Sequence, residues 1–279
     1  MTIAMCFSLV RFLCIMFKYE HNGGMMADDE AKGGTVARAF GLLAYVAAGG
    51  ATGNLSALAR EVGINRITAA RLLATLEDEG MLEALPQGAH RIGVRFLGLA
   101  ADALGQDDLI GHGRRLVALL SKQVSWSGYM VELDGPFAVY LVKEVPQTPL
   151  VSNIRPGSRI PAYLIAPGRV LMARLPRESW RGLYEAAQGD PRGARVTFEE
   201  AEAMLLEARG LECCWSFGKF EQGIDACAAP VFDASGEAVA AISVAGGSYL
   251  LAREPVQKAL IEEAVLDTAR RLSGVLGAG

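Results

Sequence analysis

The chain has 279 residues, a length that suggests two domains rather than one. Hydrophobic residues make up 51% of it and charged residues 21%, which excludes a disordered, collagen-like or solvating chain because enough apolar surface exists to offset the entropy lost on folding. The formal net charge of −4 argues against a protein that coats nucleic acid or an anionic membrane with its whole surface, while a local basic face stays compatible with it.

Cysteine and histidine usage indicates no metal centre. The chain has five cysteines, an odd number without metal-ligand spacing: Cys6, Cys14, Cys213, Cys214 and Cys227. The three histidines are equally scattered: His21, His90 and His112. We therefore predict free thiols, no metal or cofactor, and a reducing, cytoplasmic compartment. The adjacent pair at 213–214 is expected to pack as small apolar groups rather than to act as a redox pair.

The first residues are apolar but fit no targeting segment well. Residues 1–17 carry Arg11 in their middle, no basic residue precedes them, and no small-residue cleavage pattern follows, so a secretory signal or a spanning helix is a poor match. We predict that residues 1–30 are an extension outside the folded domains, either disordered or preceding a true start near Met25 or Met26. Peripheral membrane attachment is the alternative.

Residues 31–94 contain three helical segments followed by a hairpin pattern. A helix with period 3.6 is predicted over 35–48, and Asn54 or Ser56 can cap a second, short helix that ends near Glu61. Gly63 supplies the turn into a third helix from Asn65 to about Glu79. Two short strands around residues 86–88 complete the order of a winged helix-turn-helix.

The third helix carries the predicted DNA-binding surface. Its leucines form a buried stripe that leaves four polar residues outside: Asn65, Arg66, Thr68 and Arg71. Such a recognition helix lies in the major groove, where arginine reads guanine or phosphate, threonine a thymine methyl or phosphate, and asparagine adenine unless it caps the helix. On the hairpin, His90 and Arg91 are predicted to meet phosphate or the minor groove. The alternative is a solvated polar face without DNA contacts.

Residues 95–279 alternate between helix and strand patterns. A linker helix is predicted over 95–108, and an α/β domain over 109–279, with hairpin turns at 134–136 and 233–236. Helical periodicity recurs over 166–187 and 198–209, and the segment 253–255 is predicted to open a final helix because proline at a first helical position needs no N–H donor.

These segments resemble the IclR family of bacterial transcriptional regulators. The similar stretches are LSALAREVGINRITAARLLATLEDEGM at 55–81, GSRIPAYLIAPGRVLMARLP at 157–176 and GIDACAAPVFDASGEAVAAISVAG at 223–246. The sequence of residues 159–173 is similar to that of regulators of aromatic and β-ketoadipate-type catabolism. One departure is Ile67, which stands where the family usually has a phosphate-contacting serine.

The resemblance implies an α+β chain: a winged helix-turn-helix, a linker helix and a GAF-like α/β domain that binds a small organic acid. It also implies dimers that associate into tetramers on operator DNA. Separately, we expect no membrane partner. In the family the effector lies between the sheet and the helix after the G-S-R-x-P segment. Transferred to this sequence, the predicted effector-binding positions are Ala166, Gly168, Ser216, Ala226, Ser243 and Ala245.

Several of those positions differ from the family pattern. Ser243 keeps the family hydroxyl, whereas Ala226, Ala245 and Ser216 replace a usual cysteine, serine and aspartate, and Lys219 replaces a common glutamate. The expected pocket is therefore less polar and less acidic than usual and prefers a larger, aromatic acid, with Pro167 removing one N–H donor. Arg155 and Arg159 could attract an acid, but structural ion pairing is the commoner fate of such arginines.

Two other functional hypotheses compete with that of a transcriptional regulator. Ser216 and Lys219 match the S-x-x-K pattern of serine acyl-transfer enzymes, although no S-D-N or K-T-G motif accompanies them, and we expect no enzyme. The second is a small-molecule sensor that has lost DNA binding, which Ile67 and the low net charge of the first domain allow.

Overall fold

The computed structural model describes residues 34–106, 108–146, 154–193, 196–253 and 256–278. The predicted extension over residues 1–30 lies outside this range. Contacts divide the chain into two compact units, with the boundary between residues 107 and 108. Each unit is described by itself below.

The first unit is a helix-turn-helix followed by a two-stranded hairpin and a helix, as predicted. Its elements are α1 (Thr35–Ala47), α2 (Leu55–Val62), α3 (Arg66–Asp78), β1 (Leu82–Ala84), β2 (His90–Ile92) and α4 (Val94–Gln106). Strands β1 and β2 pair antiparallel around a 3₁₀ turn at Pro86–Gly88.

Local signals in the sequence set the ends of α2 and α3. The side chain of Asn54 accepts hydrogen bonds from the backbone N–H groups of Ser56 and Ala57 and so caps α2. Gly63 follows α2 with φ of 71°, a left-handed conformation that costs glycine little. Asn65 then caps α3 by accepting from the Thr68 N–H at 2.8 Å. The predicted turn geometry is therefore confirmed.

The core of the first unit is built from leucines that share the inner faces of the helices. Leu42 of α1, Leu58 of α2, Leu72 and Leu76 of α3, and Leu82 of β1 are all buried there. This packing fixes which face of α3 remains at the surface.

The second unit is a six-stranded antiparallel sheet with helices on both faces. Its elements are α5 (Asp108–Val124), β3 (Ser127–Asp134), β4 (Phe137–Glu144), β5 (Arg159–Pro161), α6 (Ala166–Met172), α7 (Arg177–Ala186), α8 (Phe198–Arg209), β6 (Cys214–Phe217), β7 (Ile224–Phe232), β8 (Ala238–Gly247), α9 (Ser248–Arg253) and α10 (Val256–Val275). The strand order is β5-β4-β3-β8-β7-β6. Both predicted hairpins are present, β3–β4 and β7–β8.

The two faces of this sheet belong to two separate cores. Helices α6, α7 and α8 pack on the face that presents Tyr129, Ala228 and Ala241. Helices α5 and α10 pack on the other face, which presents Met130 and Ile242. Neighbouring residues on one strand thus enter different cores, as the pleat requires.

The segment predicted to open the last helix is only partly covered. Arg253 ends α9 and α10 begins at Val256, while Glu254 and Pro255 lie outside the described residues. Within the described part of the chain, no helix is both long enough and apolar enough to cross a bilayer.

Candidate DNA-binding surface and ligand pocket

The outer face of α3 exposes the residues predicted to read DNA. Arg66 and Arg71 are exposed and Thr68 is half-buried near the start of the helix. Ile67, between Arg66 and Thr68, is 83% exposed although it is apolar. The side chain of Asn65 is also at the surface, but its oxygen is already used as the cap of α3.

Charge is distributed unevenly along α3. Among the described residues, neither Arg66 nor Arg71 has a carboxylate partner, so both guanidinium groups remain available to an external anion. Two of the three acidic residues that follow have partners: Glu77 contacts His90, and Glu79 contacts Arg95 at 3.2 Å. The start of α3 is therefore basic, and its acidic end is partly neutralised by internal contacts.

The structure places His90 differently from the sequence prediction. Its Nε2 lies 2.5 Å from Glu77 Oε1 and its Nδ1 lies 2.8 Å from Thr52 Oγ1, and its side chain is only 8% exposed. Thr52 in turn donates to the carbonyl oxygen of Gly88, within the turn of the hairpin. The imidazole thus ties the hairpin to the end of α3 instead of facing outward, so a DNA contact by this side chain does not fit the geometry.

Arg91, on the same strand, remains at the surface but is not free. Its Nε and Nη2 donate to both carboxylate oxygens of Glu83 at 2.8–2.9 Å. The pair is well exposed, 59% and 44%, so solvent screens it and a phosphate could compete with the carboxylate.

A small cavity opens on the α6 side of the sheet in the second unit. Its volume is about 40 Å³, which is room for a few water molecules. Most of the wall is apolar or aromatic. The lining residues are Tyr129, Tyr140, Ile154, Ile165, Ala166, Pro167, Ser216, Phe220, Glu221, Ile224, Ala226, Ser243 and Ala245.

Strand register brings the predicted wall positions together. Ser216 of β6 pairs with Ala226 of β7, which pairs with Ala245 of β8, so the three side chains form one row across the sheet. Ser243 lies two residues before Ala245 on the same face and pairs with Tyr129 of β3. Together with Ala166, five of the six predicted effector-binding positions line this cavity.

The two serines of the wall differ in the hydrogen bonds that their hydroxyl groups make. The Ser243 hydroxyl donates to the Cys227 carbonyl oxygen at 3.0 Å, which leaves its lone pairs as acceptors. For Ser216, no side-chain hydrogen bond is formed with any residue that the structure describes. A polar ligand group could therefore accept a hydrogen bond from Ser216 without breaking an existing one.

Gly168 is the predicted position that does not reach the cavity. A Cβ atom built on it would lie 2.2 Å from the carbonyl oxygen of Ala162, so the absence of a side chain is needed for α6 to pack on the turn before it. Gly168 consequently serves close packing, and the neighbouring Ala166 and Pro167 form the cavity wall.

Four functional candidates were not predicted from the sequence. Tyr129 and Tyr140 meet edge to face with ring centroids 5.3 Å apart and line the cavity. Glu221 also lines it, so the wall is more acidic than expected. Burial is the main cause that raises the pKa of the Tyr140 phenol, followed by Tyr129 and Glu221. The fourth candidate, Lys143, donates to the carbonyl oxygen of Ile154 at 2.5 Å.

The remaining predicted side chains have structural partners or stand apart. Arg159 pairs with Asp134 and stacks over the ring of Phe137, which agrees with ion pairing rather than ligand attraction. Ser216 is buried on β6 whereas Lys219 is exposed beyond the end of that strand, so they do not form an acyl-transfer pair.

The described cysteines are free and buried. Cys213 and Cys227 lie with their sulfur atoms 3.0 Å apart in one core, and Cys214 points into the other core. Burial raises the pKa of the Cys214 and Cys227 thiols, which keeps them protonated. Over the residues that the structure describes, no group of three His, Cys, Asp or Glu side chains is arranged to hold a metal ion.

Comparison with known proteins gives consistent matches along the chain. The family model described as bacterial transcriptional regulator IclR C-terminal matches residues 101–274, and the IclR helix-turn-helix domain matches residues 35–86. The glycerol operon regulatory protein of Streptomyces griseus is 30% identical over 261 residues, or 87% of this chain and 96% of that protein. The p-hydroxybenzoate hydroxylase transcriptional activator of Acinetobacter baylyi is 28% identical over 201 residues, or 68% and 72% of the two chains.

Solved structures share the fold. An IclR homologue complexed with 4-hydroxybenzoate, from Microbacterium hydrocarbonoxydans, superposes with a TM-score of 0.73 at 19% identity, over 87% of this chain and 99% of that one.

Proposed function

The chain belongs to the IclR family of bacterial transcriptional regulators, and we propose that it senses a small organic acid, preferably an aromatic one, to control a catabolic operon. It is a DNA-binding regulator and not an enzyme. We further propose that it acts in the cytoplasm, where operator DNA and a catabolic intermediate would both be available.

The observation that carries the ligand proposal is the composition of the cavity wall. Two tyrosine rings and several isoleucines supply apolar contacts, while the hydroxyl groups of Ser216 and Ser243 are placed to orient a polar group. Apolar walls with a few placed polar groups are typical of small-molecule sites. The name of the Acinetobacter baylyi relative contains p-hydroxybenzoate, which makes 4-hydroxybenzoate a reasonable first probe.

The cavity volume of about 40 Å³ sets a condition on this proposal. A benzoate ring needs more room, so the walls must separate when the ligand enters. The expected ligand is consequently one whose apolar contacts compensate for opening the wall.

We propose that the DNA contacts come from Asn65, Arg66, Thr68 and Arg71, with Arg91 reaching phosphate from the hairpin. Few positive charges lie on this surface, so one copy of the first unit is expected to bind DNA weakly. Two copies, one from each chain of a dimer, are needed to recognise a specific site.

Exposed apolar side chains on the first unit suit such a dimer. They are Val36 and Phe40 on α1 and Val94, Leu97, Leu99 and Leu104 on α4. Apolar residues that are exposed in numbers on a small unit are typical of a protein interface. We propose a homodimer formed through these helices, which associates further into a tetramer on DNA.

Fluorescence anisotropy of the full chain with labelled duplexes tests the function. The duplexes cover the region upstream of the neighbouring catabolic genes, and a scrambled duplex of equal length is the control. We expect the chain to prefer one upstream duplex over the scrambled one by roughly a thousandfold. The affinity for that duplex should fall as the salt concentration rises from about 50 to about 200 mM, and it should change when 4-hydroxybenzoate is added. Equal binding to all duplexes at every salt concentration would contradict the proposal.

A further inference from the structure

A β-bulge decides which way Lys143 points. The register of β3 and β4 passes from Val131 opposite Tyr140 to Met130 opposite Val142, so Leu141 is an extra residue on β4. Strict alternation from Tyr140 would have turned Lys143 to the α5 and α10 side. After the bulge Lys143 pairs instead with Tyr129, a cavity residue, and residues directly opposite each other share a face.

The ammonium group of Lys143 is consequently on the cavity side of the sheet, beside residues that line the cavity. Its Nζ donates to the carbonyl oxygen of Ile154 at 2.5 Å, and Ile154 itself lines the cavity. The lysine side chain is half-buried. Burial is the main cause that lowers its pKa and the nearby Arg155 lowers it further, while Glu221 acts in the opposite direction. The exposed Arg155 and the carboxylate of Glu221 are thus charged groups that act on this ammonium.

Among the residues that the structure describes, the lining supplies a negative charge but no positive one. Glu221 is the acidic residue of the lining, and among the described residues no lysine or arginine lines the cavity directly. The buried Arg169 does not line the cavity, and it donates to the Trp215 carbonyl oxygen at 3.0 Å and contacts the Met204 sulfur. An anionic ligand that enters this cavity needs a nearby cation to offset both Glu221 and its own desolvation.

We propose that Lys143 is the counter-charge for the effector carboxylate and makes the cavity prefer acids over neutral analogues. This rests on the proposed function, because it takes the cavity to be the effector site. An ammonium group has three donors, so Lys143 can keep its bond to Ile154 and donate to a carboxylate as well. Glu221 opposes the ligand charge and lowers the affinity for acids.

Calorimetric titration of the full chain with two matched ligands tests this assignment. 4-Hydroxybenzoate carries the carboxylate, and 4-hydroxybenzamide has nearly the same shape without the charge. Lys143→Met keeps the length of the side chain and removes its charge, and Lys143→Arg keeps the charge. Lys122→Met, at an exposed position on α5, is the control for general loss of positive charge.

We expect Lys143→Met to weaken acid binding by tenfold or more while amide binding changes by less than twofold. Lys143→Arg should retain most of the preference for the acid, Glu221→Gln should strengthen acid binding, and Lys122→Met should change neither ligand. Equal losses of affinity for the acid and the amide in Lys143→Met would show that Lys143 only supports Ile154. That result would overturn the role of Lys143 as counter-charge but not the aromatic-acid proposal. A wild-type chain that binds neither ligand would overturn the aromatic-acid proposal and this inference with it.

Discussion

The hydrogen bonds by which His90 joins the hairpin to the end of α3 give the sharpest prediction for the first unit. His90→Ala removes the imidazole that joins Glu77 to Thr52. A net contribution of about 0.5–1.5 kcal/mol is usual for a neutral hydrogen bond, and about 1.5–3 kcal/mol for one to a charged group. The Glu77 side chain is 37% exposed and can rehydrate, and Thr52 keeps its bond to Gly88, so we discount the sum to about 2 kcal/mol.

Hydrogen exchange measured by mass spectrometry resolves this effect because it reports on local opening. All three tryptophans, Trp126, Trp180 and Trp215, lie in the second unit, so tryptophan fluorescence would miss it. A loss of about 2 kcal/mol corresponds to roughly thirtyfold faster exchange in peptides that cover β1 and β2. Peptides of the second unit serve as the internal reference.

A matched variant on the same strand separates the link from a general effect of mutating the hairpin. Arg91→Ala breaks an exposed ion pair with Glu83, a kind of contact that contributes about 0–1 kcal/mol. It should therefore accelerate exchange much less than His90→Ala does. Unchanged exchange in His90→Ala, or a larger effect from Arg91→Ala, would refute the reasoning.

Four other substitutions test the DNA-binding surface and the packing of the second unit. Arg66→Ala and Arg71→Ala should each weaken operator binding by about 1–3 kcal/mol and reduce its salt dependence, and intact affinity in anisotropy titrations would remove them from the interface. Ile67→Ser should leave the melting temperature unchanged because the side chain is 83% exposed, and it should strengthen operator binding by supplying a hydroxyl that can contact phosphate. Weaker binding of Ile67→Ser in anisotropy titrations would show that the isoleucine itself contributes to the interface. Gly168→Ala places a Cβ 2.2 Å from the Ala162 carbonyl oxygen and should destabilise the second unit by about 1–3 kcal/mol in urea unfolding followed by tryptophan fluorescence, and an unaltered midpoint would show that α6 can shift.

The features that sequence predicted correctly depend on nearby residues. Asn54 and Asn65 cap helices through bonds to residues two or three positions away, and Gly63 adopts its turn conformation by itself. The row of Ser216, Ala226 and Ala245 also followed from the sequence, because similarity to the family carries strand register with it.

The features that sequence missed join distant parts of the chain. His90 meets a threonine 38 positions earlier, and alternating polarity on a short strand gives no sign of that partner. Strict alternation along β4 would place Lys143 on the other face of the sheet from Tyr140, and the bulge at Leu141 that brings it to the same face carries no local signal in the sequence. Glu221 reaches the wall from the connection between β6 and β7, which an interpretation based on strands overlooks.

The size of the cavity constrains how an effector could change DNA binding. A ligand shifts a conformational equilibrium only by the difference between its affinities for the two states. In this structure about 40 Å³ is open, so an aromatic acid of the proposed kind would fit only after side chains of the wall move apart. A small cavity would then favour strong coupling, since almost all of the ligand's affinity would belong to the opened state. It also lowers the apparent affinity by the free energy needed for opening, so a sensitive regulator of this kind is expected to bind its effector only moderately.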